Sequence, residues 1–511
     1  PKGLVGSEMC IRDRNMSATG RMTTHHGKAP RIIQIVGTYN RTYWLMDNGE
    51  VYSAGENGSY GLGNSETTDR PYTIRVTAND TTDWQGNNIT KTFNQTKIVK
   101  IGLSDMHSGN GSSTMWALGD DGSVWVWGYN NNGQAGLGNP QANASTDTTG
   151  GNINIAFYSG NVTRPVRMPQ SYFDGKKIVD VYWSGSEESW CHALDESGQL
   201  WGWGHNQHGE LGIGNNSGTY YYTVPTKIGL DFNRYGGIKL LKHYWSDGSQ
   251  HASIILDGEG YIWFTGYQTA GNSPIGSPGY TGTYHIGSWR RMGFHMNGDI
   301  DYFWIGGDEN RWFYLRQKST GMLWNHDGNY GTYGGRGMSV ESNSYWYQSG
   351  GQPSQFIHIK GPKWPVNVVC VEQNRGDGSY IYEYPMILDD AGMMWGGAPY
   401  SNSWHGLGGS SSNSDQWTNG GRNSSGQTME DNEMFRTRKK PVPTPSGGVR
   451  WTDLHAFGRA SAGMHAALNQ RGQLYWTGYD GGSSVTLHYD YYSEGADSNQ
   501  TQYFFHLGPR D

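Results

Sequence analysis

Six histidines draw attention first, because imidazole is both the commonest metal ligand and a proton carrier near neutral pH. They are His192, His205, His208, His251, His405 and His465. Zinc and metalloprotease chemistry places such residues at fixed intervals, as in H-E-x-x-H or paired Cys and His turns. None of the six shows that spacing. The sequence therefore favours histidines held by hydrogen bonds within the fold, and no metal or cofactor is expected. The string G-x-x-G-x-G is a second candidate, since glycine-rich turns can cradle phosphate. It occurs at Gly58/Gly61/Gly63, Gly133/Gly136/Gly138 and Gly209/Gly212/Gly214, with Pro274 interrupting a fourth copy at Gly271 and Gly276. A phosphate loop follows one strand and opens one helix. Here the string recurs in register with no helical pattern behind it, so a turn between strands is the better reading. Arg375-Gly376-Asp377 spells an adhesion tripeptide, but chance readily produces it in a chain with 78 glycines. Arg436, Arg438, Lys439 and Lys440 resemble a nuclear address, yet Glu430, Asp431 and Glu433 precede them and neutralise the patch. No nucleophile–base set or carboxylate pair declares itself, and such sets assemble only in space. No catalytic residue is assigned.

Aromatic side chains in variable segments are the stronger signal. Length changes concentrate at 139–163, 215–224, 277–290, 336–355, 409–440 and 480–500, each just after the glycine string or its remnant. These stretches are rich in Asn, Ser and Gly and carry Tyr220, Tyr221, Tyr222, Trp289, Tyr345, Trp346, Tyr347, Trp404, Trp417 and Tyr491. Tyrosine among small polar residues is the composition of binding loops, because it offers contact area at little entropic cost. Aromatic faces also stack on sugar rings. The competing reading is that these side chains only pin long loops to the body of the protein.

The elements that must position these loops come from a repeat. A turn glycine recurs at Gly49, Gly122, Gly198, Gly260, Gly321, Gly392 and Gly472, followed at the third position by Tyr52, Trp125, Trp201, Trp263, Trp324, Trp395 and Tyr475. Between them, at the second position, the residue is always apolar. A leucine stands four residues before six of the seven glycines, Gln317 being the exception. Apolar strand, glycine turn, apolar strand is a β-hairpin. A further strand-like run precedes each hairpin, so each unit holds three to four strands. The reading is an all-β, seven-bladed β-propeller of four-stranded antiparallel blades over residues 30–511, with blades near 31–76, 97–168, 177–228, 238–292, 299–360, 366–443 and 449–508. The closing strand could be 503–508 or 31–36. Residues 1–29 share nothing with the repeat and read as a disordered, partly spurious leader, with Met16 as the expected start.

Bulk composition narrows function. The net charge of −7 and the 16% charged residues speak against nucleic-acid binding, which needs clustered Lys and Arg. Three cysteines make no disulfide framework, and Cys191 and Cys370 are expected as buried thiols. No apolar window is long enough for membrane insertion.

The strings VWVWGYNNNGQAGLGN (124–139), LWGWGHNQHGELGIGN (200–215) and ASAGMHAALNQRGQLYWTG (460–478) resemble the repeat of the regulator of chromosome condensation family. That signature runs Gly–His–small–Leu, a turn glycine, an apolar-aromatic-x-Trp-Gly strand, then Asn-x-x-Gly-Gln-Leu-Gly. Units one to three and seven match well; units four to six match the hairpin and parts of the glycine string. The resemblance implies a seven-bladed propeller and gives His465 a hydrogen-bonding role within its blade. It also implies nucleotide exchange on a small GTPase, chromatin binding or protein inhibition as activities, but no exchange motif falls on numbered residues here and the basic tail for chromatin is missing. Composition resembles that of structural and adhesive proteins of environmental phages and microbes. The sequence-level expectation is a non-enzymatic module that binds a protein or glycan through one aromatic face, such as a virion or cell-surface adhesin. A GTPase exchange factor and a carbohydrate-active enzyme stand as alternatives.

Overall fold

The computed structural model describes residues 30–37, 41–104, 113–130, 133–138, 160–184, 189–214, 221–246, 250–268, 284–292, 296–306, 312–327, 356–359, 364–374, 381–392, 394–396, 417–418, 422–423, 435–436, 450–459, 462–470, 474–479 and 500–506. β-branched and aromatic residues dominate the runs between glycine turns, and those runs form strands. The strands pair antiparallel, in chain order, into four-stranded sheets. The first holds Ile32–Gly37, Arg41–Met46, Val51–Gly55 and Arg70–Arg75; the second holds Ile98–Leu103, Thr114–Gly119, Val124–Gly128 and Val162–Arg167. The third holds Ile178–Trp183, Trp190–Asp195, Leu200–His205 and Tyr221–Lys227; the fourth holds Ile238–Ser246, Gln250–Asp257, Ile262–Gln268 and Tyr284–Arg291. The fifth holds Ile300–Gly306, Trp312–Gln317, Leu323–Asp327 and Phe356–Ile359; the sixth holds Pro365–Asn374, Ile381–Asp389, Met394–Gly396 and Phe435–Arg436. The last holds Trp451–Arg459, Ala462–Asn469, Leu474–Tyr479 and Gln500–His506. A small hairpin, Trp417–Thr418 with Arg422–Asn423, lies within the sixth sheet's final connection. The protein is an all-β propeller with four-stranded antiparallel blades. Among the described residues no helix is long and apolar enough to cross a membrane.

The first strand of each sheet lies beside the first strand of the next, and that of the last sheet lies beside Ile32–Gly37. In every one of these sheets the first strand is bulged near its start, as between Ile32 and Gln34 or Ile98 and Lys100. A bulge adds twist, which turns each sheet against its neighbour. Polar side chains tie these strands together. The Gln34 amide accepts from Ile101 N–H at 2.9 Å and donates to Ile101 C=O at 2.8 Å. Lys100 pairs with Asp180, and Asn367 donates to Leu454 C=O at 2.6 Å. The apolar core is divided into wedges between adjacent sheets. The final sheet is completed by Gln500–His506, so of the two candidate closing runs it is 503–508, over its described residues, that supplies the strand, while 31–36 opens the first sheet.

The hairpin glycines sit where φ must be positive, for example Gly198 at +82° and Gly260 at +89°. An aspartate three residues earlier organises the turn. Asp195 accepts from the N–H groups of Ser197 and Gln199 and, at 3.0 Å, from Trp201 Nε1. Asp257 does the same for Glu259, Tyr261 and Trp263, the indole bond being 2.7 Å. Trp125 and Trp324 find other acceptors, Ser123 Oγ at 2.9 Å and Gln317 Oε1 at 3.2 Å. Gly49, Gly122, Gly321 and Gly392 also have positive φ. Gly472 and the Trp395 side chain lie outside the described residues.

Candidate functional site

A three-ring aromatic wedge locks each of the early seams. Phe93 stands edge-on to Trp125 and Trp127, at 5.4 and 6.0 Å between ring centroids. Phe173 repeats this with Trp201 and Trp203 at 5.7 and 6.1 Å. Phe232 repeats it again with Trp263 and Trp289 at 5.6 and 5.8 Å. The second indole rests on a glycine of the preceding blade. A Cβ at Gly136 would lie 2.4 Å from Trp203 Nε1, and one at Gly212 would lie 2.3 Å from Trp289 Nε1. In the second and third sheets that indole comes from the third strand. In the fourth sheet the third strand has Thr265 at this position, and Trp289 reaches in from the fourth strand instead.

The same seam differs at its polar positions. Alignment of 124–139 with 200–215 sets Tyr129 against His205 and Gln134 against Glu210. On the following blade, Ser189 corresponds to His251, since Gly204 packs on the Ser189 carbonyl and Gly266 on that of His251. Thus Tyr, Gln and Ser at one seam become His205, Glu210 and His251 at the next. All three are buried, and a donor atom from each lies within 4.8 Å of the other two. His205 Nδ1 bonds Glu210 Oε1. Glu210 Oε2 accepts from His208 N–H at 2.7 Å, and His251 Nδ1 is 3.8 Å from Oε1. The main-chain carbonyl of Glu210 accepts from Ser253 Oγ at 2.7 Å, which fixes the loop to the fourth sheet. His208 is stacked on His285 with their Nδ1 atoms 3.0 Å apart, so one donates and the other accepts. The remaining Nε2 of His208 is buried without a hydrogen-bond partner. Tyr221 and Tyr267 close the flanks, edge-on to His205 and His208 at 5.2 Å. Deeper in the seam, His192 Nε2 faces Leu211 C=O at 3.1 Å and His192 Nδ1 faces His243 Nε2 at 2.9 Å. Because a carbonyl can only accept, Nε2 carries the proton and Nδ1 accepts from His243.

Electrostatics at this seam follow from burial. Burial raises the Glu210 pKa, but the His205 imidazole, through its charge and hydrogen bond, and His251 outweigh it and hold the group at about 2. Burial drives His251 down to about 3, and His208 and His192 each to about 4. Carboxylates and imidazoles ligate cations in their deprotonated forms. Sequence spacing missed the set because its members come from two blades. The visible signal was three departures from the repeat at one seat.

The expected loop residues fall in several places. Tyr221 and Tyr222 open the third sheet's fourth strand, half-buried, with Tyr221 against His205. Trp289 must be withdrawn from the binding-loop set. It is 7% exposed and fills the core position of the missing repeat indole, so its faces are covered by protein. Trp417 belongs to the short hairpin by its backbone, while its side chain and Tyr220, Tyr345, Trp346, Tyr347, Trp404 and Tyr491 lie outside the described residues, as do His405, the His465 side chain and Arg375–Asp377. Cys191 is a buried free thiol; the Cys370 side chain is not among the described residues.

Blades of this construction, locked by glycine-seated indoles, define a repeat propeller. The family model described as "Regulator of chromosome condensation (RCC1) repeat" matches residues 121–185. The chain is a β-propeller whose repeat is similar to the RCC1 repeat over those residues. It is 25% identical over 226 residues to the E3 ubiquitin-protein ligase HERC2 of Homo sapiens, a match covering 43% of this chain and 4% of that protein. It is 29% identical over 167 residues to the mitochondrial RCC1 domain-containing protein RUG3 of Arabidopsis thaliana, covering 33% of this chain and 30% of that one. The chain thus spans under a third of the length of these curated relatives. Among solved structures it is similar to yeast RCC1 (Prp20) in its complex with Kap60, with a TM-score of 0.51 and 14% identity over 96% of this chain and 90% of that one. The Saccharomyces cerevisiae Prp20p structure, described with its binding properties to Gsp1p and histones, gives a TM-score of 0.50 and 15% identity over 94% and 87% of the two chains. At such identity the likeness speaks for the fold alone.

Proposed function

We propose that the chain is a closed seven-bladed propeller that works as an interaction module, binding a protein partner with the face that bears its variable loops. The supporting observation is one of position. The connections of most variable length, 129–161, 206–220, 269–283, 328–355, 397–434 and 480–499, all join a third strand to a fourth. Strands alternate in direction, so these connections emerge on the same face, whereas the turns joining second to third strands on the opposite face are uniformly short. Aromatic residues at Tyr220–Tyr222, Tyr345–Tyr347, Trp404, Trp417 and Tyr491 would supply the contact area. The similar yeast protein Prp20 binds Kap60, and its binding to Gsp1p and histones is described, which agrees with this reading. A virion or cell-surface adhesin is the setting we favour on composition, with a glycan as the other ligand class. The test is crosslinking mass spectrometry of the full chain with its host's proteins, run beside a glycan array, for wild type and Trp346→Ala. Saturable crosslinks from the variable loops that disappear in the variant would support the reading. Crosslinks confined to the short-turn face, or binding indifferent to Trp346, would overturn it.

A further inference from the structure

We propose that His205, Glu210 and His251 form a binding site for a divalent transition-metal ion of zinc's class, clamping the third blade to the fourth at the loop-bearing end. Geometry carries this. Two imidazoles and one carboxylate are a known ligand set for zinc, with bonds of about 2.0–2.2 Å. Here their donor atoms lie within 4.8 Å of one another, fully buried, on elements fixed from both sides of a seam. His205 closes the strand Leu200–His205, Glu210 sits in the glycine turn anchored by Ser253, and His251 lies near the start of Gln250–Asp257.

Two further observations point to a ligand. The neighbouring seam shows what this position looks like when it serves packing alone: Tyr129, Gln134 and Ser189, three neutral side chains. Exchanging all three for an acid and two imidazoles gathers a metal-ligating set where the neighbouring seam carries none. Secondly, His208 keeps a buried Nε2 with no hydrogen-bond partner, on a ring 5.4 Å from that of His251. A buried polar nitrogen of this kind calls for an explanation, and a bound ion is one of the standard ones. Three protein ligands leave a fourth coordination position for water or for His208. A mixed imidazole and carboxylate shell suits zinc, cobalt(II) or nickel(II), whereas an all-oxygen shell would suit calcium or magnesium. Since two ligands belong to one blade and the third to the next, occupancy would stabilise the seam independently of any partner.

The experiment uses the full chain. Metal content is measured by elemental analysis after purification without chelator, and Co2+ is titrated into chelator-treated protein while visible absorbance and melting temperature are followed. Wild type is expected to hold one equivalent of zinc, to develop Co2+ ligand-field bands saturating at one equivalent, and to melt higher with metal. Glu210→Gln and His251→Ser restore the residues of the neighbouring seam, so both variants should fold. Each should weaken Co2+ binding by about 100-fold or more, because removing even a group that merely orients a ligand costs about 10–100-fold. Wild type that is folded yet takes up neither ion, or variants that bind as well as wild type, would overturn the proposal.

Discussion

Two adjacent seams of one ring, between the second and third blades and between the third and fourth, show how the same architecture is satisfied in two ways. Both seat an indole on a glycine of the preceding blade, and both set that indole edge-on to a phenylalanine from the intervening 3-10 turn. The first takes its indole from the third strand and lines its polar end with neutral groups. The second takes it from the fourth strand and lines that end with a carboxylate and histidines. Packing volume is therefore the fixed requirement. Which strand meets it, and what charge accompanies it, are free to vary.

The largest effect should come from moving the charge to the wrong seam. Gln134→Glu buries a carboxylate beside Tyr129 and Ser189, and should cost about 3–5 kcal/mol in urea unfolding at neutral pH, with part of the loss recovered on acidification as the group protonates. Trp289→Ala should destabilise by about 3–5 kcal/mol, as Trp203→Ala should. If Trp289→Ala proved neutral while Trp203→Ala did not, the equivalence of the two indoles would fail. Gly212→Ala forces a left-handed conformation and a contact with Trp289, and about 2–3 kcal/mol is expected. The double variant with Trp289→Ala should lose less than the sum.

A pH series separates the seams next. The unfolded chain protonates His251, His208 and His192 near their ordinary 6.5, and the folded chain only near 3–4. The unfolded state thus binds more protons across that window, and stability should fall as pH drops from about 6.5 towards 4. Glu210, held at about 2 against an ordinary 4.5, adds a contribution present above about 4.5 and lost below it. Melting temperatures at closely spaced pH values should show the slope, and His208→Asn with His251→Ser should flatten it. The narrowest effect is that of Glu210→Gln in metal-free protein, which should lose stability relative to wild type above about pH 4.5 and converge with it at lower pH, read as melting temperatures.

The frame of the fold was legible in the sequence because hairpin chemistry is local. Gly198 and Trp201 act within a few residues of each other, and Asp195 completes the same short turn. The seams were less legible because they join residues far apart in the chain. Trp289 read as a loop aromatic, since nothing local shows that it replaces an indole absent from position 265. His205, Glu210 and His251 failed every spacing rule, since one of them stands on another blade. Their trace was a comparative one: two aligned strings in which Tyr129 and Gln134 face His205 and Glu210.

The way the ring meets itself has a mechanical consequence. Among the described residues the first and last sheets are each made from their own stretch of chain, and no hydrogen-bonded strand clasps the two together. The two sheets meet along the flanks of Ile32–Gly37 and Trp451–Arg459. The protein therefore resembles a split washer more than a sealed hoop, and strain applied to it should open that gap first. Joining its ends and cutting the chain between two other blades would move the gap around the circle while leaving every strand pair as it is.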